Sequence, residues 1–89
     1  MFLSIAKVTE VKQEKNGGFW LQAQIDVPED VFAVELVLED FGSDAKSAPL
    51  SNLFAGTHNL TVEGAGVSPL QVGDTIPATC FREEELEKP

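Results

Sequence analysis

The segment from Asn16 to Val27 constrains the fold more than any other part of the sequence. It begins with Asn16-Gly17-Gly18, residues that accept the positive φ angles of a tight hairpin turn. From Phe19 onward, apolar and polar side chains alternate without interruption. Alternation with a period of two is typical of a β-strand that has one buried and one exposed face. We therefore predict a β-hairpin whose second strand runs from Phe19 to Val27.

The two faces of this predicted strand differ in chemistry. The apolar face carries Phe19, Leu21, Ala23, Ile25 and Val27. The polar face carries Trp20, Gln22, Gln24 and Asp26. Residues 2–13 are also rich in strand-forming side chains, but the parity of their apolar positions changes near Ala6-Lys7. We expect a first strand that has a bulge or a sharp bend at that point.

Residues 28–41 permit two predictions. Their even-numbered apolar positions and their β-branched side chains favour a third strand over residues 31–40. The alternative is a helix, because Pro28 would stand near its start and Gly42 at its end. We favour the strand.

The rest of the chain predicts further short elements. We expect one helical turn at residues 50–55, a fourth strand at 57–63 and a last strand at 75–82. Residues 1–82 then form a single domain, and residues 83–89 form an acidic tail. Five short strands in so small a chain need a nearly closed sheet, since closure removes exposed strand edges. The predicted fold is all-β, a five-stranded barrel with one short helical turn between strands 3 and 4.

This order of elements resembles an OB-fold. The features that carry the resemblance are the bent first strand, the Lys15-Asn16-Gly17-Gly18 hairpin, the regular second strand, the gap before strand four, and Val72-Gly73-Asp74-Thr75-Ile76 at the start of the last strand. SH3-like barrels and other small barrels or sandwiches are the alternatives. The size and the hairpin pattern also resemble the single-stranded-DNA-binding proteins of filamentous phages. That resemblance implies a symmetric oligomer that binds through aromatic and basic residues, although this chain has no tyrosine and is far more acidic.

The net charge and the few histidine and cysteine residues limit which partners and which catalytic chemistry we expect. A net charge of −9 argues against non-specific duplex binding and against anionic membranes. We expect no cofactor and no metal ligands, and neither His58 nor Cys80 stands in a catalytic motif. One cysteine and no signal-peptide pattern predict a cytoplasmic protein without an internal disulfide. The first expectation for function is therefore a non-enzymatic binding module.

The first functional hypothesis is a small single-stranded nucleic-acid-binding protein that uses its first hairpin. In an OB-fold the corresponding outer face binds single strands, an aromatic ring stacks on a base and lysines contact phosphates. The predicted binding residues are Lys7, Lys12, Lys15, Trp20, Gln22 and Gln24. The alternative for Trp20 is a packing role under a loop, under the tail or in a homodimer interface.

The second hypothesis is an acidic protein-interaction module. It would bind a basic protein, by imitating a phosphate backbone, through a carboxylate cluster in and around strand three. The residues predicted for this role are Glu29, Asp30, Glu35, Glu39 and Asp40. These carboxylates would otherwise form a solvated face without a partner. Under either hypothesis we expect a homo-oligomer, because so small a core gains from burying more apolar surface.

Overall fold

A computed structural model describes residues 1–42 and 44–86 of the chain. Within these residues the strands are β1 (Phe2–Gln13), β2 (Gly18–Val27), β3 (Val31–Leu36), β4 (Leu50–Ser51), β5 (Gly56–Ala65) and β6 (Thr75–Arg82). A 3-10 turn at Glu39–Phe41 lies between β3 and β4, and one helical turn, α1 (Glu83–Leu86), follows β6. Residues 87–89 of the predicted tail lie outside the described residues.

The strands form one antiparallel sheet in the order β4-β3-β6-β1-β2-β5. The segment before β4 brings the two ends of this sheet together. Lys46 exchanges two backbone hydrogen bonds with Glu63 of β5, at 2.8 and 2.9 Å. Shortly afterwards, Leu50 pairs with Val34 of β3. The sheet is therefore a small, nearly closed barrel that is compatible with an OB-like architecture.

The β1–β2 hairpin forms where the sequence predicts it. Gly17 has a φ of 91°, and the side-chain oxygen of Asn16 accepts a hydrogen bond from the amide of Gly18 at 3.1 Å. The amide of Glu14 donates to the carbonyl of Gly18 at 2.7 Å and closes the turn. This turn fixes the register of the ladder, which pairs Lys12 with Trp20.

The core consists of side chains from the inner faces of the strands, together with Leu70. The predicted alternation along β2 is confirmed, since each inward side chain from Phe19 to Val27 is at most 4% exposed. The irregularity in β1 lies between Val8 and Glu10, slightly later than predicted. The buried core residues are Ala6, Val8, Phe19, Leu21, Ala23, Ile25, Val27, Val31, Val34, Leu36, Leu60, Val62, Leu70, Ile76, Ala78 and Cys80.

The all-β barrel is confirmed, with one correction to the number of strands. The described residues contain six strands rather than five, because Leu50–Ser51 pair with β3 as the short strand β4. The prediction of a helical turn at residues 50–55 is therefore wrong about the position of the turn. A helical turn does lie between the third and fourth strands, but at Glu39–Phe41. Leu50 packs against the core, and backbone groups at such a position need hydrogen-bond partners, which β3 provides.

The segment that follows Pro28 forms a strand, as predicted, and not the alternative helix. The strand ends at Leu36, however, and not at residue 40 as predicted. Asn52, which has a φ of 56°, turns the chain after β4 toward β5. No helix in the described part of the chain is long and apolar enough to cross a membrane.

Candidate nucleic-acid interface

Antiparallel pairing places three rows of outward side chains across β1, β2 and β5. Side chains of directly paired residues lie on the same side of a sheet, so each row is a set of neighbours. The rows are Lys12, Trp20 and Glu63; Glu10, Gln22 and Thr61; and Lys7, Gln24 and Asn59. We call these nine residues, together with Asp26 and Lys46, the tryptophan face.

Lys46 extends the first row by one position. Its backbone pairs with Glu63 as an antiparallel bridge, so both side chains lie on the outside of the barrel. Both are exposed, and with Ser47 and Thr61 they line a shallow open cleft. The row therefore runs Lys12, Trp20, Glu63, Lys46, with a lysine on each side of the tryptophan.

Trp20 lies outside the core and is half-buried. The ammonium group of Lys12 stands over its indole, 5.5 Å from the ring centroid. The same Nζ lies 3.6 Å from a carboxylate oxygen of Glu10. An exposed cation–π contact contributes about 0.5–1 kcal/mol, and an exposed ion pair contributes about as little. Neither contact is strong enough to lock the lysine over the ring.

The tryptophan face is electrically balanced, in contrast to the protein as a whole. Its basic residues are Lys7, Lys12 and Lys46, and its acidic residues are Glu10, Asp26 and Glu63. Because the chain carries a net charge of −9, all of that excess lies on the remaining residues. A polyanion is therefore repelled less at this face than elsewhere on the protein.

The structure brings together most of the residues predicted for nucleic-acid binding. Lys7, Lys12, Trp20, Gln22 and Gln24 share the tryptophan face. The remaining predicted residue, Lys15, lies in the hairpin turn beyond the end of the ladder and does not belong to a row. Sequence reasoning missed Lys46 and Glu63, which join the site only through long-range pairing.

The carboxylates predicted for the alternative function are spread over three places. They lie in the turn before β3, on β3 and in the 3-10 turn after it: Glu29, Asp30, Glu35, Glu39 and Asp40. The length of β3 alone separates the two ends of this set by about 20 Å. The set is therefore a series of separate exposed groups.

Asp30 is also engaged with a basic residue. Its carboxylate accepts a hydrogen bond from Nε of Arg82 at 2.6 Å. This hydrogen bond holds the pKa of Asp30 below its ordinary value. Asp30 is consequently less available to an outside basic partner than the sequence predicts.

The two residues with potential for catalysis have structural contacts. His58 is half-buried, and its Nε2 lies 2.6 Å from the carbonyl oxygen of Phe54. Cys80 is buried in the core, and burial raises the pKa of its thiol. Among the described residues, no three His, Cys, Asp or Glu side chains are placed to hold a metal ion together.

Comparison with known proteins finds no match for this chain among protein-family models, curated proteins or solved structures. The OB-like character of the barrel therefore rests on the strand arrangement described above.

Proposed function

We propose that this protein is a non-enzymatic binding module that binds single-stranded nucleic acid on the tryptophan face. The observation that carries the proposal is the row of Lys12, Trp20, Glu63 and Lys46, in which an indole outside the barrel lies between two lysines. Binding through aromatic and basic side chains of a β-hairpin is also what the resemblance to filamentous-phage DNA-binding proteins implies.

Base stacking on Trp20 is the first interaction. A base stacked on an aromatic side chain contributes about 1–3 kcal/mol, whereas the ammonium of Lys12 over the same ring contributes about 0.5–1 kcal/mol. A base can therefore displace the ammonium from the indole. The lysine then stays within reach of the phosphate that belongs to the stacked nucleotide.

Phosphate contacts from the two lysines of the row are the second interaction. Lys12 lies one strand from Trp20, and Lys46 lies two strands away on the other side, which corresponds to about 5 and 10 Å across the sheet. The amides of Gln22 and Gln24 add neutral hydrogen-bonding groups along the strand. With two phosphate contacts and an acidic protein around them, we expect weak binding that depends on salt.

The test is fluorescence anisotropy of a labelled single-stranded oligonucleotide against the full chain. Removal of the stacking platform in Trp20→Ala weakens binding about 5- to 150-fold, and Trp20→Phe, which keeps an aromatic face, restores much of it. Phe54→Ala is the matched control, because Phe54 is 84% exposed but lies outside the tryptophan face, and it leaves the affinity unchanged.

Charge variants test the second interaction. Lys12→Gln and Lys46→Gln each lower the slope of log affinity against log salt by about 0.7, the value for one phosphate contact on a single strand. Glu63→Gln strengthens binding, because it removes the carboxylate between Trp20 and Lys46. A purely structural role for these residues does not predict an increase in affinity.

The opposing outcome is equally specific. Absence of binding by the wild-type protein at about 20 mM salt overturns the nucleic-acid proposal. Binding of polylysine that Glu35→Gln and Glu39→Gln abolish, in place of oligonucleotide binding, would instead support the acidic protein-interaction module.

A further inference from the structure

The barrel has a second outer face, which is mostly apolar. On the strands β1, β6 and β3, outward positions form rows that include Leu3 with Thr79 and Ile5 with Pro77. Leu3 is 70% exposed and Ile5 is 64% exposed. We call the outward residues Leu3, Ile5, Ala33, Val37, Pro77, Thr79 and Phe81 the apolar face, of which Leu3, Ile5 and Pro77 are exposed and the other four are partly buried. Outward strand positions in a domain that stays alone in water are normally polar, so this exposure indicates an interaction surface.

The charged residues of these rows stand at opposite corners of the apolar face. Lys7 pairs with Thr75 at one corner, and Glu35 pairs with Thr79 at the other. Pro77 lies midway, one strand and two residues along the ladder from each corner. The face therefore has a positive corner and a negative corner on opposite sides of Pro77, at equal distances from it.

We propose that the apolar face binds a second copy of this chain in a two-fold symmetric dimer. A two-fold axis that lies in the plane of the face, passes through Pro77 and is perpendicular to the line from Lys7 to Glu35 brings Lys7 of each copy against Glu35 of the other. The same rotation places Pro77 against its own copy at the centre and brings Leu3 of one copy near Ile5 of the other beside the axis, on the β1 side of the face. Self-complementarity of this kind is what a two-fold interface between identical chains requires.

The size of the face sets the expected strength. Three strands about 4.8 Å apart and rows about 7 Å apart give on the order of 500 Å² of accessible surface per copy. The dimer then buries about 1,000 Å², which is near the lower limit for a specific interface. We therefore expect dissociation in the micromolar range, and the inference does not depend on the proposed nucleic-acid binding.

The test is sedimentation velocity of the full chain from about 1 to 500 μM. The wild-type protein shifts from monomer to dimer over this range. Leu3→Thr and Ile5→Thr keep side chains that suit a strand, and each weakens dimerisation at least about tenfold. Val67→Thr is the matched control, because Val67 is 82% exposed and follows Gly66, whose amide donates to Gly17 in the hairpin turn away from the apolar face, and it leaves the dimer unchanged.

A charge exchange separates this arrangement from other contacts. Lys7→Glu and Glu35→Lys each weaken the dimer, because each places like charges opposite one another, and the double variant restores it. Circular dichroism verifies that each variant is folded. A wild-type protein that stays monomeric at the highest concentration, or a double variant that is weaker than both single variants, overturns the proposal.

Discussion

Replacement of Gly64 by alanine tests how tightly β5 packs against β2. Gly64 pairs with Phe19, whose ring lies against it at the edge of the core. A Cβ atom at position 64 would stand 2.6 Å from Cε1 and 2.7 Å from Cζ of that ring. Carbon atoms in ordinary contact are about 3.5 Å apart or more. The ring or the strand must therefore move by about 0.9 Å to admit one methyl group.

Such overpacking of a well-filled core costs about 1–3 kcal/mol. Gly64 has no positive φ angle, so backbone strain does not add to this cost. Alanine has less conformational freedom than glycine in the unfolded chain, and this difference offsets about 0.5 kcal/mol or slightly more of the destabilisation. We expect a net loss of about 1–2 kcal/mol, which lowers the melting temperature of a domain this small by about 4–16 °C. Thermal and urea unfolding followed by circular dichroism measure both values.

A second substitution assigns the cost to the contact with Phe19. In a Phe19→Leu background the shorter side chain leaves room for the methyl group, and only the contact with the carbonyl oxygen of Asp44, 3.2 Å from the added Cβ, remains, so Gly64→Ala costs about 1 kcal/mol less there than in the wild type. Asn59→Ala, on the outer side of the same strand, is the control and changes stability by no more than about 0.5 kcal/mol. An equal cost of Gly64→Ala in both backgrounds would refute the steric argument.

Two further predictions concern single positions. Asn52 has a φ of 56°, a conformation that alanine rarely adopts and glycine adopts readily. Asn52→Ala therefore destabilises the fold by about 1 kcal/mol in urea unfolding, whereas Asn52→Gly does not. Equal effects of the two substitutions would contradict this prediction. Burial raises the pKa of Cys80, so folding favours its neutral thiol. The contribution of this group to the free energy of unfolding is complete at neutral pH and is lost as the pH rises above about 8.5 through the raised pKa. Urea unfolding of wild type and Cys80→Ala across this range should therefore show the wild type losing stability more steeply, and parallel curves would contradict the assignment.

Local chemistry explains which parts of the fold the sequence predicts. The Asn16-Gly17 turn and the alternation along β2 depend on near neighbours in the chain, and both are confirmed. The strand β4 could not be predicted in the same way. It is only two residues long, and Leu50–Ser51 are a strand solely because β3 offers them backbone partners.

The same distinction applies to the candidate site. The placement of Trp20 beside Lys12 follows from the length of the hairpin turn, so the sequence predicts it. Lys46 reaches Trp20 by pairing with Glu63, a bridge that closes the barrel and has no local signature. The carboxylates around β3 are near one another in the sequence, which predicts a common surface, but an extended strand separates them in space.

A base that stacks on Trp20 lies against the indole and changes the emission of that residue. Trp20 is the only tryptophan in the chain, so its fluorescence reports on this face alone. We predict saturable quenching by single-stranded DNA, with affinity about 25-fold lower at about 200 mM than at about 20 mM salt, as two phosphate contacts require. Emission that stays constant up to about 100 μM oligonucleotide in low salt would show that no base stacks on Trp20.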